Sequence, residues 1–383
     1  MRQIRIFYII TALALIVAAC GGTDDTTTTE AAVAAPDPTT TTEAPAPETT
    51  TTEAMATTTT EVPFEAPDGA LVSVPAMDVP VLDGVADDGV WADAPVLTVS
   101  VSGGANDGST EVSLQSAYDG DTVYYLVSWA DTTQSFLRSP WEKQDDGSWV
   151  KLSDPDDKGG DNNVWYEDKM SLIWNTDSAI AGFEQSGCFV MCHAGETPDA
   201  KPYGNKYTAA EGEIGDIWHW KSVRNLHQID DQYVDHITYT EETPSAGRHG
   251  DPKDGGGYTN NDNEDKSAPA FMPPDGGNKD GSPGWVLESE MVDFDDSLFV
   301  AGDRVPGVYK SEFTGDRADI SAESNYADGV WTVEISRAMV TGSEFDVQFD
   351  DLTDTYHFGV ATFDNAQVRH AFQAGVSTFV FKP

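Results

Sequence analysis

Short runs of β-branched and aromatic residues, separated by Asp-Gly turn signals, constrain the fold of this chain more than any other feature. Residues 122–129 (TVYYLVSW), 329–335 (GVWTVEI) and 357–363 (HFGVATF) are typical of these runs. Asp119-Gly120 precedes the first run, and Asp328 precedes the second. This composition favours strands, and Asp-Gly favours the turns between them. The pattern predicts a mainly β fold, an antiparallel β-sandwich with long loop insertions and a few short helices.

Two segments are predicted to be irregular insertions into this sandwich, about 154–163 and about 244–284, because both are rich in Asp, Gly and Asn. Loops of such length in a folded domain are usually functional or disordered. Short helices are further options near 217–223 and 336–340. We therefore expect one folded domain over residues 64–383, interrupted by the two insertions.

The N-terminus has the features of an export signal. Arg2 and Arg5 precede an apolar run, 6–19, that is too short for a membrane-spanning helix. The run ends in Val17-Ala18-Ala19-Cys20, which resembles the lipobox of bacterial lipoproteins. The resemblance implies a signal peptide over residues 1–19, a lipid on Cys20, and a place in the cell envelope outside the cytoplasmic membrane. The alternative is ordinary secretion with an unmodified Cys20.

Residues 20–63 consist mainly of Thr, Glu, Ala and Pro. With almost no large apolar side chains, such a segment cannot bury enough surface to offset the entropy of ordering. We expect a disordered tether that holds the folded domain away from the membrane.

The charge of the chain is strongly acidic, with 66 Asp and Glu against 21 Lys and Arg, a formal net charge of −45. A surface of this sign repels phosphate groups, which excludes a nucleic-acid partner. One explanation is a solvated surface suited to salt. Another is Ca²⁺ binding by acidic loops, for which Glu167, Asp168, Asp364 and Asn365 are the candidates.

Three cysteines are present, and if Cys20 carries a lipid, Cys188 and Cys192 remain. They form the motif Cys188-x-x-x-Cys192-His193, one residue longer than the usual C-x-x-C-H of covalent haem attachment. Two thiols reach the two vinyl groups of one porphyrin, and the neighbouring imidazole can bind its iron. The alternatives are a disulfide, a zinc site, for which no second cysteine pair exists, and a redox pair of the thioredoxin type.

Four motifs in order carry a more specific resemblance. Residues 187–193, 216–222 (DIWHWKS), 247–252 (GRHGDP) and 358–365 (FGVATFDN) together resemble the haem-binding domain of the ethylbenzene dehydrogenase family. That family includes γ subunits of molybdenum enzymes of the dimethyl sulfoxide reductase class and free-standing c-type cytochromes. In the γ subunits the haem is b-type, held by Met and Lys, so the cysteine motif makes this chain similar to the c-type branch. Residues 81–95 resemble the opening of sandwiches related to family 9 carbohydrate-binding modules.

The resemblance implies a haem c bound by Cys188 and Cys192, with His193 as the proximal iron ligand. His370 follows a predicted strand, roughly where the γ subunits place their distal ligand, and is the first choice for that role. The other candidates for haem contact are His219 and Met272, as second and third choices for the distal ligand, and Met191, Trp218 and Trp220, as residues that pack on the porphyrin.

The expected function is that of a membrane-anchored, extracytoplasmic monohaem c-type cytochrome that exchanges electrons with a redox protein partner. No paired carboxylates and no nucleophile with a base stand out, so we do not expect an enzyme. Ten tryptophans and the sandwich resemblance leave a carbohydrate- or surface-binding module as an alternative. A haem subunit of a molybdenum oxidoreductase is the other alternative.

Overall fold

A computed structural model of the protein describes residues 64–156, 161–193 and 206–383. The predicted signal peptide, the lipid-bearing Cys20 and the tether lie outside the described residues. Within the described part no helix is long and apolar enough to cross a membrane. The prediction of a mainly β, antiparallel sandwich with a few short helices is confirmed.

The strands, in chain order, are β1 (Leu71–Pro75), β2 (Leu97–Ser102), β3 (Thr110–Asp119), β4 (Thr122–Ala130), β5 (Trp141–Lys143), β6 (Trp149–Lys151), β7 (Lys169–Asn175), β8 (Gly215–Lys221), β9 (Asp230–Val234), β10 (Arg248–Gly250), β11 (Gly255–Asn260), β12 (Phe271–Met272), β13 (Val286–Leu287), β14 (Val292–Asp293), β15 (Arg304–Val305), β16 (Val308–Thr314), β17 (Ile320–Ala327), β18 (Val330–Ala338), β19 (Tyr356–Phe363), β20 (Ala371–Gln373) and β21 (Ser377–Phe381). The helices are α1 (Gly89–Asp93) and α2 (Phe183–Ser186), and single 3₁₀ turns lie at Thr176–Ser178, Gly187–Val190, Pro274–Gly276, Asp296–Leu298 and Asp316–Ala318.

The main sheet consists of two halves that pack face to face. The first half has the strand order β10-β9-β8-β7-β19-β21, and the second has the order β2-β3-β4-β18-β17. Strand β20 pairs with both β19 and β2, and β1 pairs in parallel with both β21 and β3. The halves are thus joined by these strands on one side. On the other side β10 and β17 end the path, and an isolated bridge between Gln228 and Ser321 links the halves there. We call this second side the open side of the sandwich.

Aromatic side chains fill the space between the two halves. Trp218 and Trp220 of β8 point inward from the first half and lie in one core cluster with Trp129 and Trp331 of the second half. The ring of Trp220 lies 5.8 Å from that of Trp129 and 4.9 Å from that of Trp331, both edge to face. Because side chains alternate along a strand, Ile217 and His219 must then point to the outer face of β8.

A smaller apolar cluster on that outer face positions the segment with the cysteine motif. Ile173 of β7, Ile217 of β8 and Val234 of β9 pack against Phe183 of α2 and against Met191. Phe183 and Met191 are almost fully buried in this cluster. Burial of such side chains contributes about 1.5–3 kcal/mol each, and it holds the motif against the sheet.

Two expectations about local structure are wrong. Residues 217–221 and 336–338 belong to β8 and β18, because tertiary pairing on both sides of each segment overrides a weak helical pattern. The segment 244–284 is not irregular throughout, since it contains β10, β11 and β12. Strand β11 pairs with β16 through a register shift between Gly255 and Gly257, where a side chain on Gly256 would collide with the carbonyl of Glu312. The glycines that suggest a loop thus permit a bulged strand.

Candidate functional site

An open pocket lies on the outer face of the first half of the sheet. The empty space within it is about 990 Å³, a figure that includes the solvent at its wide mouth. The floor is made of outward-pointing, mostly apolar side chains of four strands: Ser171, Ile173, Ile217, Val234, Gly359 and Ala361. These side chains give the pocket a mostly apolar surface on which an apolar ligand can pack.

The cysteine motif forms one wall of this pocket. Cys188, Cys192 and His193 all line it, and both cysteines are free thiols, so the disulfide alternative is not realised in the structure. The backbone amides of Met191 and His193 donate to the carbonyl of Cys188 at 3.2 and 3.1 Å. These two hydrogen bonds close the loop that contains the extra residue of the motif.

Two glycines bring the motif close to the sheet. Gly187 has a φ of +53°, and a side chain there would collide with the carbonyl of Gly375, which precedes β21. A Cβ atom on Gly359 of β19 would lie 3.1 Å from the Sγ atom of Cys188. Only small residues at these two positions leave room for the turn and for the first thiol.

Burial determines the protonation of both thiols. It raises the pKa of Cys192 to about 11, and it raises the pKa of Cys188 further, with repulsion from Cys192 as the second cause. Both groups are therefore neutral thiols at physiological pH. A thioredoxin-type pair needs a thiolate of low pKa, so that alternative is not favoured here. Among the described residues, neither group of candidate metal ligands includes a cysteine, so a zinc site is not favoured either.

Two of the seven histidines in the chain line the pocket, His193 and His370. Their ring centroids are 5.5 Å apart, with the ring planes at 74°. Phe372 of β20 lies 4.5 Å from the ring of His193, and Phe363 of β19 lies 5.1 Å from that of His370. Burial, followed by repulsion from His193, lowers the pKa of His370 to about 3, so its imidazole is neutral, the form that binds metals. The structure thus brings together the predicted proximal and first-choice distal ligands.

Basic groups form another wall. Arg248 of β10 and Lys206 line the pocket, and the Nη2 atom of Arg248 lies 2.6 Å from the Oε1 atom of Gln232, to which it donates. Burial lowers the pKa of both basic groups. Their charge favours a ligand that carries carboxylates at this end. Sequence analysis missed both residues, although Arg248 lies within the GRHGDP motif that it singled out.

His219 also points to this face of β8 but does not line the pocket. Arg248 can only donate, so the Nδ1 atom of His219, 2.6 Å from Nη2, must accept, and the ring proton of the neutral imidazole lies on Nε2. Burial and the nearby Lys221 and Arg248 keep the pKa of His219 well below its usual value. A protonated Nε2 has no lone pair for iron, so the second-choice distal ligand is not supported.

Three further predicted haem contacts need correction. Trp218 and Trp220 lie in the core between the two halves, on the other face of β8 from the pocket, because alternation along a strand separates them from His219. Met191 does not line the pocket and packs beneath the turn with Ile173, Ile217 and Val234, which form the pocket floor. Alternation along β8 and the geometry of the turn place these three side chains outside the pocket lining.

Met272, the third-choice distal ligand, is also corrected. It belongs to a separate apolar cluster with Trp141, Trp149 and Phe299, and its Sδ atom accepts a hydrogen bond from the amide of Asp295 at 3.5 Å. Strand β12, which ends at Met272, pairs with β14 and not with the main sheet. The Met-Pro sequence therefore serves a small satellite core.

The four residues predicted to hold Ca²⁺ do not form one group. Glu167 pairs with Arg224, whereas Asp168 lies with Asp131 and Asp364, all three having a carboxylate oxygen within 4.8 Å of the others. Asn365 joins them through its backbone, whose amide donates to the Oδ1 atom of Asp168 at 2.9 Å. Glu167 and Asp168 are neighbours in sequence and contact different partners, so Glu167 stands apart from the other three predicted residues.

A family model described as ethylbenzene dehydrogenase matches residues 88–375, which is well over half of the chain. The chain belongs to this family. The match spans the pocket and every residue assigned to it above. No curated protein matches this ethylbenzene dehydrogenase family member significantly.

Solved structures that resemble this family member are β-sandwich proteins. A family 9 carbohydrate-binding module from Caldicellulosiruptor kristjanssonii, in complex with glucose, is 7% identical, with 81% of this chain and 95% of that chain covered and a TM-score of 0.32. A putative carbohydrate-binding protein from Bacteroides uniformis is 10% identical, with 82% and 98% covered and a TM-score of 0.29.

Proposed function

We propose that this member of the ethylbenzene dehydrogenase family is an exported, lipid-anchored electron-transfer protein with one covalently attached c-type haem. One observation supports the proposal above all others. One pocket is lined by Cys188, Cys192 and His193 and also by His370, which lies far from them in the sequence. Two free thiols and two imidazoles facing one cavity are the donor set that a c-type haem requires.

The residues present fit such a group in three respects. The apolar floor suits the porphyrin plane, the thiols of Cys188 and Cys192 suit two thioether bonds, and Arg248 with Lys206 suits the two propionates. When bound, the haem would supply a centre that accepts and returns one electron.

The histidines determine which chemistry is open to the site. His193 and His370 would both hold the iron, and the centre would then exchange electrons without binding a substrate. His370 is neutral because it is buried, so it needs no deprotonation before it binds iron. We therefore propose an electron carrier and not an enzyme.

The surface charge supports a partner of the opposite sign. With a formal net charge of −45, the chain attracts a basic redox protein from a distance and accelerates their encounter at low salt. The partner proposed here is such a redox protein, with a molybdenum oxidoreductase of the type found in this family as a further candidate.

The experiment uses the full chain, produced in a host that attaches haem to cytochromes. The dithionite-reduced protein is mixed in a stopped-flow instrument with a small basic redox protein or a small acidic one, over a range of salt concentrations. We expect rapid oxidation by the basic protein, a rate that falls steeply with salt, and a much slower reaction with the acidic one. A protein that shows no haem absorption, or no reversible reduction, would contradict the proposal.

A carbohydrate-binding function stays an alternative prediction. Eight of the ten tryptophans are buried, and Trp165 and Trp285 are half-buried beneath Arg304 and Lys310, so no tryptophan forms an exposed platform for sugars. A glycan array with the full chain distinguishes the two functions, since an electron carrier should bind none of the glycans.

A further inference from the structure

Five carboxylates meet at the open side of the sandwich, away from the haem pocket. Asp216 lies on β8, Asp231 on β9, Asp251 just after β10, Asp319 just before β17, and Asp346 in the loop that follows β18. Asp216, Asp231 and Asp346 each place a carboxylate oxygen within 4.8 Å of the others. We call these five residues the carboxylate cluster. It brings together residues from both halves of the sheet.

The three closest members share a pattern in which one oxygen is held by donors and the other is not. The Oδ2 atom of Asp216 accepts from Trp218 Nε1 at 2.9 Å and from the amide of Val347 at 3.0 Å. The Oδ2 atom of Asp346 accepts from the hydroxyl of Thr341 at 2.6 Å. The Oδ1 atom of Asp231 accepts from the amide of Gln232 at 3.0 Å. These bonds fix the orientation of all three carboxylates.

The second oxygen of each is buried without a partner. Asp216 Oδ1, Asp231 Oδ2 and Asp346 Oδ1 have no hydrogen-bond donor, and neither has either carboxylate oxygen of Asp251. The exposed fractions of Asp216, Asp231, Asp346 and Asp251 are 0%, 0%, 1% and 3%. A buried polar atom without a partner is costly and uncommon in proteins, so these oxygens indicate a missing ligand of positive charge.

The protein itself supplies little positive charge here. The Nη2 atom of Arg337 lies 3.2 Å from the Oδ2 atom of Asp346, and five carboxylates thus face one guanidinium. Arg317 is also near, but it forms its ion pair with Asp230. Uncompensated buried charge of this kind opposes folding unless a cation or protons neutralise it.

We propose that the carboxylate cluster binds one divalent cation of the Ca²⁺ class. All of its donors are oxygens, which suit hard cations and not zinc or copper. Ca²⁺ takes six to eight oxygens in flexible geometry, whereas Mg²⁺ keeps several waters and usually binds only one or two protein carboxylates. Three carboxylates within 4.8 Å of one another, with the buried Asp251 and the half-buried Asp319 as further members, match the first ion better.

The second acidic group does not share this evidence. Both oxygens of Asp168 already accept hydrogen bonds, Oδ2 from the amide of Ser135 at 2.6 Å and from Trp331 Nε1 at 3.1 Å, and Oδ1 from the amide of Asn365. Asp131 is satisfied by the amide of Thr133 at 3.0 Å. This group therefore offers a matched control of similar composition.

A cation bound by the carboxylate cluster would link β8, β9 and β10 to β17 and β18. Strand β10 begins with Arg248, and β9 ends with Val234, both of which line the haem pocket. Cation binding at the open side would then stabilise β9 and β10, which contribute Val234 and Arg248 to the pocket.

The experiment treats the full chain with EDTA, removes the chelator, and titrates CaCl₂ by isothermal titration calorimetry in salt that screens the acidic surface. Thermal melting is followed with and without CaCl₂. The test variant is Asp231→Asn, and the control is Asp131→Asn. We expect one Ca²⁺ per chain and a higher melting temperature for the unmodified chain and for the control. We expect at least tenfold weaker binding for the test variant.

A second readout separates lost binding from simple misfolding. In EDTA the Asp231→Asn chain should melt at or above the temperature of the unmodified chain, because one repelling charge is gone. Added Ca²⁺ should then raise the melting temperature of the unmodified chain and of Asp131→Asn more than that of Asp231→Asn. The proposal is overturned if the EDTA-treated chain binds no Ca²⁺ with defined stoichiometry. It is also overturned if Asp131→Asn abolishes binding and Asp231→Asn does not, or if protons alone neutralise the cluster, so that Ca²⁺ leaves melting unchanged.

Discussion

The imidazole rings of His193 and His370 lie 5.5 Å apart at an interplanar angle of 74° in the same pocket. One follows the second cysteine of the attachment motif, and the other immediately precedes β20. The strand that brings His370 to His193 is also the strand that joins the two halves of the sandwich. The position of both candidate iron ligands therefore depends on the fold as a whole.

Replacement of His370 should open one axial position. In the reduced His370→Ala protein we expect rapid, stoichiometric binding of carbon monoxide, because no side chain competes for the iron. The variants His219→Gln and Met272→Leu should bind carbon monoxide as poorly as the unmodified chain. Absorption spectroscopy in the Soret region measures all four proteins, and a Met272→Leu protein that alone gains binding would assign the ligand to the sulfur instead.

The turn that carries the motif should tolerate no side chain at Gly187. Its φ of +53° and the collision with the Gly375 carbonyl both oppose the substitution Gly187→Ala, and we expect a loss of more than about 1 kcal/mol in the free energy of unfolding together with less attached haem. Gly89→Ala is the control, since Gly89 has open space around its Cβ position in α1. Urea unfolding measures both, and equal stability of the two variants would refute the strain argument.

Arg248 should raise the reduction potential of the bound centre. Its positive charge disfavours the oxidised, more positive state, so Arg248→Gln should lower the midpoint potential by roughly a few tens of millivolts. Arg304→Gln, at a guanidinium that pairs with Glu142 outside the pocket, is the control and should leave the potential unchanged. Spectroelectrochemical titration gives both values, and an unchanged potential in Arg248→Gln would place the basic wall away from the haem.

Ionisation of Asp131 should lower the free energy of unfolding as the pH rises. Burial raises its pKa from 3.8 to about 6, so the folded chain holds this proton more tightly than the unfolded chain. The stabilisation is present below about pH 4 and is lost as the pH rises through about 6. Asp131→Asn cannot ionise and keeps the acceptor for Thr133, so at pH about 8 it should be more stable than the unmodified chain by on the order of 1 kcal/mol, and equal to it at pH about 4.

Urea unfolding in EDTA at the two pH values measures this difference. The exposed Asp351→Asn serves as the comparison, because Asp351 accepts its hydrogen bonds from Thr353 at the surface. A stability difference for Asp131→Asn that is the same at both pH values would contradict the assignment.

The sequence predicted the sandwich and the attachment motif because both are local signals. Runs such as 122–129 fall in β4, and Cys188, Cys192 and His193 need only their spacing. The side on which a residue of a strand lies is not local. His219 and its neighbours Trp218 and Trp220 were predicted together, although alternation sends the tryptophans to the core.

Partners that meet only through the fold were harder to foresee. The carboxylate cluster brings together five aspartates from β8, β9 and three loops, and no spacing along the chain marks them. Arg248 and Lys206 likewise enter the pocket from segments beside different strands. Sequence analysis instead placed Ca²⁺ at two distant pairs of neighbours, Glu167-Asp168 and Asp364-Asn365.

The covalent attachment of haem through Cys188 and Cys192 is tested most directly by whether haem remains on the denatured chain. The full chain and the Cys188→Ser, Cys192→Ser double variant are produced with a cytochrome maturation system, extracted with acidified acetone, and examined for haem on a denaturing gel and as the pyridine haemochrome. Met191→Leu, in the same turn but facing the apolar cluster, is the control. We predict one haem per chain in the unmodified protein and in the control, and none in the double variant. Haem that the solvent extracts from the unmodified chain, or that the double variant retains, would contradict the account.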